Sequence, residues 1–376
     1  MPSAAAVNDF SVHLGSLAGF RLDLEELGAN FSSNASRMLS SFTIPAGTTG
    51  LLATVAPSFE TLNSTLSSCH GQDVTTLAAF GSGLATAGTQ YLTLDTTTAN
   101  AISAVSDSAA VSVSGDPGTV NRFAGLQLPT LTATDDAQFT VRQLVNSGIE
   151  VLSPYDDRLN EAIGIRPAAD YLTPLAADWE VLQPLGNRIS QLSINDFVSS
   201  QNLSGGLQWL QSTWTGTAAA AFATSATTLG QAISARSDDL DAVSKIVRNG
   251  GAYLERLVYN QAVGLSSALT QPMTFLDITL PLSHWALMIN GPMRESFRTE
   301  IVAAIDAMKT SANTRRDAIT TALERISQAM GYSPGRATPT YNATEFEIPD
   351  KVAADVGVRR YGLDDNVWWE NSIASA

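Results

Sequence analysis

Apolar residues recur along most of this chain at the spacing of one helical face. Phe10, Leu14, Leu17, Leu24, Leu27, Phe31, Met38 and Phe42 stand three, four or seven positions apart. They predict a long amphipathic helix with Asn8 or Asp9 as its cap. Pro45, Gly47 and Gly50 end it in a turn over 43–50. Phe59, Leu62, Leu66, Leu77, Leu84 and Tyr91 predict a second helix, with a break near Gly71. Two long helices joined by a short turn pack as an antiparallel hairpin. Gly81, Gly83, Ala87 and Gly88 are small enough to let the two backbones approach.

The periodicity stops at Ser106. Asp116-Pro117-Gly118 lies within a Ser, Val and Gly stretch, and 106–133 reads as an interdomain linker. Thr134-Asp135-Asp136 then caps a helix running to about Val151. Short helices over 158–166 and 170–182 are broken by Pro167, Pro174 and Pro184. A longer helix covers about 186–211, followed by a sharp turn over 212–216. Phe222, Leu229, Ile233, Leu240, Val243, Ile246, Leu254 and Leu257 outline another long helix. Residues 262–290 are apolar and divided by Pro272 and Pro281, which suggests a buried helical elbow. Phe297, Ile301, Ile305, Met308, Ile319, Leu323, Ile326 and Met330 mark the last helix, and 331–376 reads as an irregular tail. No alternating strand pattern of useful length is present. The expected fold is all-α, an elongated bundle of long antiparallel helices, with a hairpin over 1–105 and a second helical domain over 134–330.

Composition narrows the function. Hydrophobic residues make up 44% and charged residues 15%, enough apolar material for a core. The net charge is −15, which repels nucleic-acid phosphates and anionic lipid. No stretch reaches the roughly 18 apolar residues of a membrane span, so stable membrane insertion is not expected. Residues 1–8 carry no basic residue and no long apolar run, so they do not form a secretory signal peptide. Export would then need a route without a cleaved leader. The single cysteine, Cys69, excludes an internal disulfide.

Catalytic constellations are missing from the pattern. His13, His70 and His284 lie far apart without metal-ligand spacing. Cys69 and His70 are neighbours on a helix and point about 100° apart, unlike a nucleophile and its base. The glycines near Phe80 match no phosphate loop. The acidic doublets Asp135-Asp136, Asp156-Asp157, Asp238-Asp239 and Asp364-Asp365 read as helix caps and solvated charge. No catalytic residue, cofactor or metal is expected, and the chain does not read as an enzyme.

Two short motifs carry more information. Trp214-Thr215-Gly216 lies on the turn between two predicted helices. Gly216 can adopt a backbone conformation closed to other residues, and Thr217 can cap the helix that follows. Trp214 is then either a ring at the tip of a hairpin, available to a partner, or a core tryptophan beside a turn. Tyr91 and Asp95 stand one helical turn apart at the end of the first hairpin. The same spacing recurs at Tyr341 with Glu345, set among prolines, and at Tyr361 with Asp365 in the tail.

These motifs, in this order, resemble the type VII secretion substrates of actinobacteria. Residues 10–105 are similar to PE-like and EspC-like hairpins that end in Tyr-x-x-x-Asp. Residues 136–330 are similar to WXG and PPE-like domains. The run 171–180 (Tyr-Leu-Thr-Pro-Leu-Ala-Ala-Asp-Trp-Glu) looks like the segment before the W-x-G turn, and 214–222 looks like its alanine-rich continuation. One chain carrying both units resembles the EspB-like arrangement. The resemblance implies a composite export signal formed by Tyr91, Asp95, Trp214 and Gly216, with Tyr361 and Asp365 as a second candidate. It also implies export to the cell surface or medium without a cleaved signal peptide. The implied partners are the secretion ATPase, a small WXG partner or chaperone, and further copies of the chain. The expected action is protein binding or self-assembly. The alternatives are a carrier for a separate effector, docked through Trp368 and Trp369, and membrane activity of 262–290.

Overall fold

The computed structural model describes residues 11–102, 113–114, 119–132 and 140–352. It is an elongated all-α bundle. Helix α1 (Leu14–Leu39) and helix α2 (Ala56–Ile102) form the first hairpin. Their antiparallel register follows from the Asn63 side chain, which donates to the Leu39 carbonyl, and from Gly28 packing on Leu77. Helices α3 (Val141–Leu152) and α4 (Asp156–Ile163) and the short turns over 167–181 lead into α5 (Leu182–Gln211). Helix α6 (Thr217–Thr270), 54 residues or about 80 Å long at 1.5 Å per residue, runs back along the 30 residues of α5 and on past its start. Gly186 meets Arg248, and Ser193 bonds Ser237, which sets the antiparallel pairing. After α7 (Leu282–Leu287), helix α8 (Glu295–Ala329) packs along α6.

Both apolar cores are built across the expected domain division. One joins Met38, Phe42, Phe59 and Leu66 of the hairpin to Trp179, Leu192, Val243, Val258, Ile326 and Phe346. The other joins Leu17, Phe20, Phe31 and Leu84 to Leu203, Trp214, Ala226 and Ile233. Neither half of the chain therefore closes its own core.

Several local expectations are corrected. The first helix begins at Leu14, capped by His13, whose Nδ1 accepts from the Ser16 amide at 3.2 Å. Asn8 and Asp9 lie outside the described residues. Helix α2 runs through Gly71 unbroken. Gly83 and Gly88 face open space, so they do not serve a close helix contact. The close approaches fall at Gly15 and Gly19, where a Cβ would lie 2.1 Å from the Thr119 carbonyl and 1.7 Å from that of Asn121.

That contact belongs to 119–132, which is more than a spacer. It lies extended along α1 and α5 and is held by side chains that bond its backbone. Asn34 donates to the Pro129 carbonyl at 3.0 Å and accepts from the Leu131 amide at 3.2 Å. Asn202 exchanges two bonds with the Gln127 backbone, and Asp23 accepts from the Phe123 amide and from Arg122. An extended strap has no internal ladder, and these residues satisfy its buried polar groups.

Helix α3 starts at Val141. Its first amides are met by Glu180 from downstream, whose Oε1 accepts from Thr140 at 2.7 Å and Val141 at 2.8 Å. The expected caps at 134–136 lie outside the described residues. The elbow is a β-hairpin, β3 (Pro272–Phe275) paired antiparallel with β4 (Ile278–Pro281). Its turn places Leu276 and Asp277 at φ of 51° and 63°, a region that a branched residue such as Leu rarely occupies. Thr217 does not cap α6, which opens after Gly216 without a side-chain cap. The described part of the tail, 331–352, packs on the bundle. Arg336 makes a two-pronged ion pair with Asp239 at 2.7 and 2.8 Å, and Phe346 is buried.

Candidate functional site

Helix α5 ends at Gln211, and the amides of Thr213 and Trp214 both bond back to the Leu210 carbonyl at 3.0 Å. The chain then reverses. Gly216, at φ 106°, supplies the conformation that the reversal needs. Its carbonyl accepts from Ala220 and begins α6. The turn throws Trp214 inward, onto Phe222 at a ring-centroid distance of 5.7 Å. The Trp214 indole N–H donates to the Tyr91 hydroxyl at 3.3 Å. Trp214 of the turn and Tyr91, about three helical turns before the end of α2, therefore meet beside the start of α1.

Trp214 is only 4% exposed, which corrects the expectation of a ring offered to a partner. A strand covers it. Residues 11–13 run beside the turn, with His13 N–H donating to the Thr213 carbonyl at 3.0 Å and Thr215 N–H donating to the Ser11 carbonyl at 2.9 Å. Strand β1 (Val12–His13) in turn pairs in parallel with β2 (Val113–Ser114). Beside this contact α2 exposes Leu92 and Leu94, with Tyr91 half-buried. Asp95 follows on the α2 backbone, and its side chain lies outside the described residues, as do Tyr361 and Asp365. Tyr341 stacks on Phe346 and Glu345 pairs with Arg325 at 2.9 Å, so that motif is used in folding the tail onto the bundle.

The histidines do not converge. His13 caps α1, His284 meets Tyr155 edge-on at 6.0 Å, and His70 is buried between the hairpin and α5. Cys69 is half-buried near Arg236, and burial pushes its thiol up. Among the described residues no group of three or more His, Cys, Asp or Glu side chains is placed to hold a metal.

One cluster escaped the reading of the sequence. His70 and Asp73 of α2, Asp196 of α5 and Arg236 of α6 form a buried chain of charge. Arg236 Nε meets Asp196 at 2.6 Å and Nη2 meets Asp73 at 2.7 Å, while His70 Nε2 meets the other Asp196 oxygen at 2.9 Å. The signal was available. Leu66, His70, Asp73 and Leu77 share one helical register, as do Leu192, Asp196 and Leu203, and Ile233, Arg236 and Leu240. Charged residues at core positions on three helices can be buried only by pairing with one another.

A second buried acid predicts pH dependence. Glu255 lies 5% exposed on α6, near Glu180. Burial raises its carboxyl from the ordinary 4.5 to about 7; the Gln183 hydrogen bond opposes the shift and the Glu180 charge adds to it. One oxygen of Glu180 is itself buried without a hydrogen-bond partner. The folded chain thus holds a proton that the unfolded chain releases. This contribution is fully present below about 4.5 and is lost as pH rises through about 7. At 1.36 kcal/mol per pH unit it amounts to roughly 3 kcal/mol. Urea unfolding at pH 5 and pH 8 should show that loss, and Glu255→Gln should remove most of it and be the more stable chain at pH 8. An equal loss in the variant would assign the pH dependence elsewhere.

Comparison with protein-family models, with curated proteins and with solved structures finds no match to this chain.

Proposed function

We propose that this chain is a non-enzymatic protein exported by a type VII secretion system, and that the region around Tyr91 and Trp214 is its export signal. The observation that supports this reading is the hydrogen bond from Trp214 to Tyr91. It joins the α1–α2 hairpin to the W-x-G turn within one chain, as the resemblance to EspB-like substrates implies. Asp95 and Gly216 complete the signal. The secretion ATPase, with or without a small WXG partner or chaperone, is the proposed reader. The exported protein is placed in the medium or at the cell surface, where it acts by binding proteins or by self-assembly.

In this reading Trp214 positions the signal and the exposed stretch from Tyr91 to Leu94 is read. Tyr91→Ala is expected to remove the protein from culture filtrate while it still accumulates in the cell lysate. Tyr361→Ala is expected to leave export intact. Loss of export with Tyr361→Ala alone would move the signal to the tail, and normal export of both variants would leave the proposal without a signal.

A second reading, membrane activity of 262–290, is supported by the exposed Leu276 and Ile278 at the β3–β4 turn. Among the described residues no helix is long and apolar enough to cross a membrane, so such activity would require shallow insertion of that turn. Leakage of liposomes by the wild type and its loss in Leu276→Asp would favour this second reading.

A further inference from the structure

The buried charge chain carries an inference about how the hairpin is held to the rest of the bundle. His70 is 3% exposed, and its ring lies against Phe31 of α1 at a centroid distance of 5.0 Å. Nδ1 is 2.8 Å from the Leu66 carbonyl oxygen, and Nε2 is 2.9 Å from Asp196 Oδ1. A carbonyl oxygen and an ionised carboxylate can only accept. Asp196 is held ionised. Burial alone would raise its carboxyl, but Arg236, whose Nε meets its other oxygen at 2.6 Å, opposes burial by charge and hydrogen bond, and the carboxyl lies below the usual carboxylate range. A neutral imidazole has a single N–H. In either tautomer one of its two contacts would set lone pair against lone pair at under 3 Å. Only the doubly protonated ring donates to both.

The charges agree with this assignment. Protonated His70 and Arg236 balance Asp196 and Asp73 in a site with little access to water. Removing the ring proton would leave one uncompensated negative charge there, which is costly in a medium of low dielectric constant. The other groups nearby do not compensate. Arg236 keeps its proton, because its two aspartates outweigh the effect of burial. Asp239, facing from α6, is committed to Arg336. Tyr332, at the start of the tail, is pushed up to about 12 by burial and stays neutral. Cys69, on α2 beside the ring, has its thiol pushed up by burial.

We infer that His70 is a charged latch that fastens the α1–α2 hairpin to α5 and α6, donating from both ring nitrogens, one to the Leu66 carbonyl and one to Asp196. The latch stands between the two cores, since Phe31 belongs to one and Leu66 to the other. Its release would loosen the middle of the hairpin and leave both apolar ends packed.

Ring-selective ¹⁵N labelling of histidine in the full chain tests the assignment directly. Two-bond ¹H–¹⁵N spectra at pH 6 should show both His70 nitrogens protonated; a neutral tautomer at pH 6 would overturn the inference. Amide exchange over 60–80 at pH 6 tests the latch. It should be about tenfold faster in His70→Gln than in the wild type, while exchange in α8 is unchanged. Equal rates over 60–80 would overturn the latch, and if His70→Gln does not fold, the spectrum of the unsubstituted chain decides.

Discussion

Replacing Arg236 by alanine is expected to cost about 3–5 kcal/mol of folding stability, the usual result of removing one member of a buried charge network. Arg236 is 5% exposed and bonds Asp196 and Asp73 at once. Truncation leaves two aspartates facing the protein interior with only His70 to balance them. The gross attraction of the network is not what is lost, because desolvation offsets most of it; the loss comes from stranding the partners. Replacing Arg236 by methionine together with Asp196 by asparagine and Asp73 by asparagine should therefore recover much of the deficit, since neither aspartate is then left stranded. Urea denaturation of the single and the combined variants measures both effects. A loss below about 1 kcal/mol for Arg236→Ala, the range of an exposed ion pair, would mean that the network is hydrated and structurally idle.

Trp214→Ala is the second large effect, about 3–5 kcal/mol for truncating a buried tryptophan. Its ring fills the space between Phe222 and the strand over 11–13, and Val12 beside it is 1% exposed. A secretion defect in this variant alone therefore says little about recognition, because an unfolded chain is also not exported. Tyr91→Phe and Trp214→Phe separate the two. Each removes one polar partner of the 3.3 Å hydrogen bond and keeps an aromatic ring, at a cost of about 1 kcal/mol for Tyr91→Phe and more for Trp214→Phe, which also leaves a cavity. Lost export at an unchanged melting temperature in Tyr91→Phe would identify the hydroxyl as part of the signal. Normal export of both phenylalanine variants, with failure of Trp214→Ala only at a lowered melting temperature, would make Trp214 a structural residue.

Much of the architecture follows from periodicity alone. The registers of Leu17, Leu24 and Phe31 and of Leu229, Ile233 and Leu240 mark the buried faces of α1 and α6, because a helix repeats every 3.6 residues whatever it packs against. The turns at Gly47 and Gly216 were legible for a similar reason: positive φ is a local property, and glycine accommodates it at little cost. The β3–β4 hairpin was not legible, because Leu276 and Asp277 occupy a turn that ordinarily asks for Asn-Gly. Trp285 holds it instead by donating to the Met273 carbonyl and packing edge-on against Phe275.

The site divides in the same way. The sequence by itself determined that Tyr91 lies on a long helix and that Trp214 lies on the turn between two others, since both facts depend only on near neighbours; it did not show that α2 runs on past Tyr91 to Ile102. The pattern also holds His70, Asp73, Asp196 and Arg236 in register with core positions of three helices, a signal that the reading of the sequence passed over. Only the tertiary structure decided that Trp214 points inward to Tyr91, that 119–132 lies along α1 and α5, and that the four charged residues meet. Those contacts join residues from 40 to 163 positions apart. The choice among partners for such groups is set by helix register and by burial across the whole bundle. A residue's near neighbours carry neither quantity.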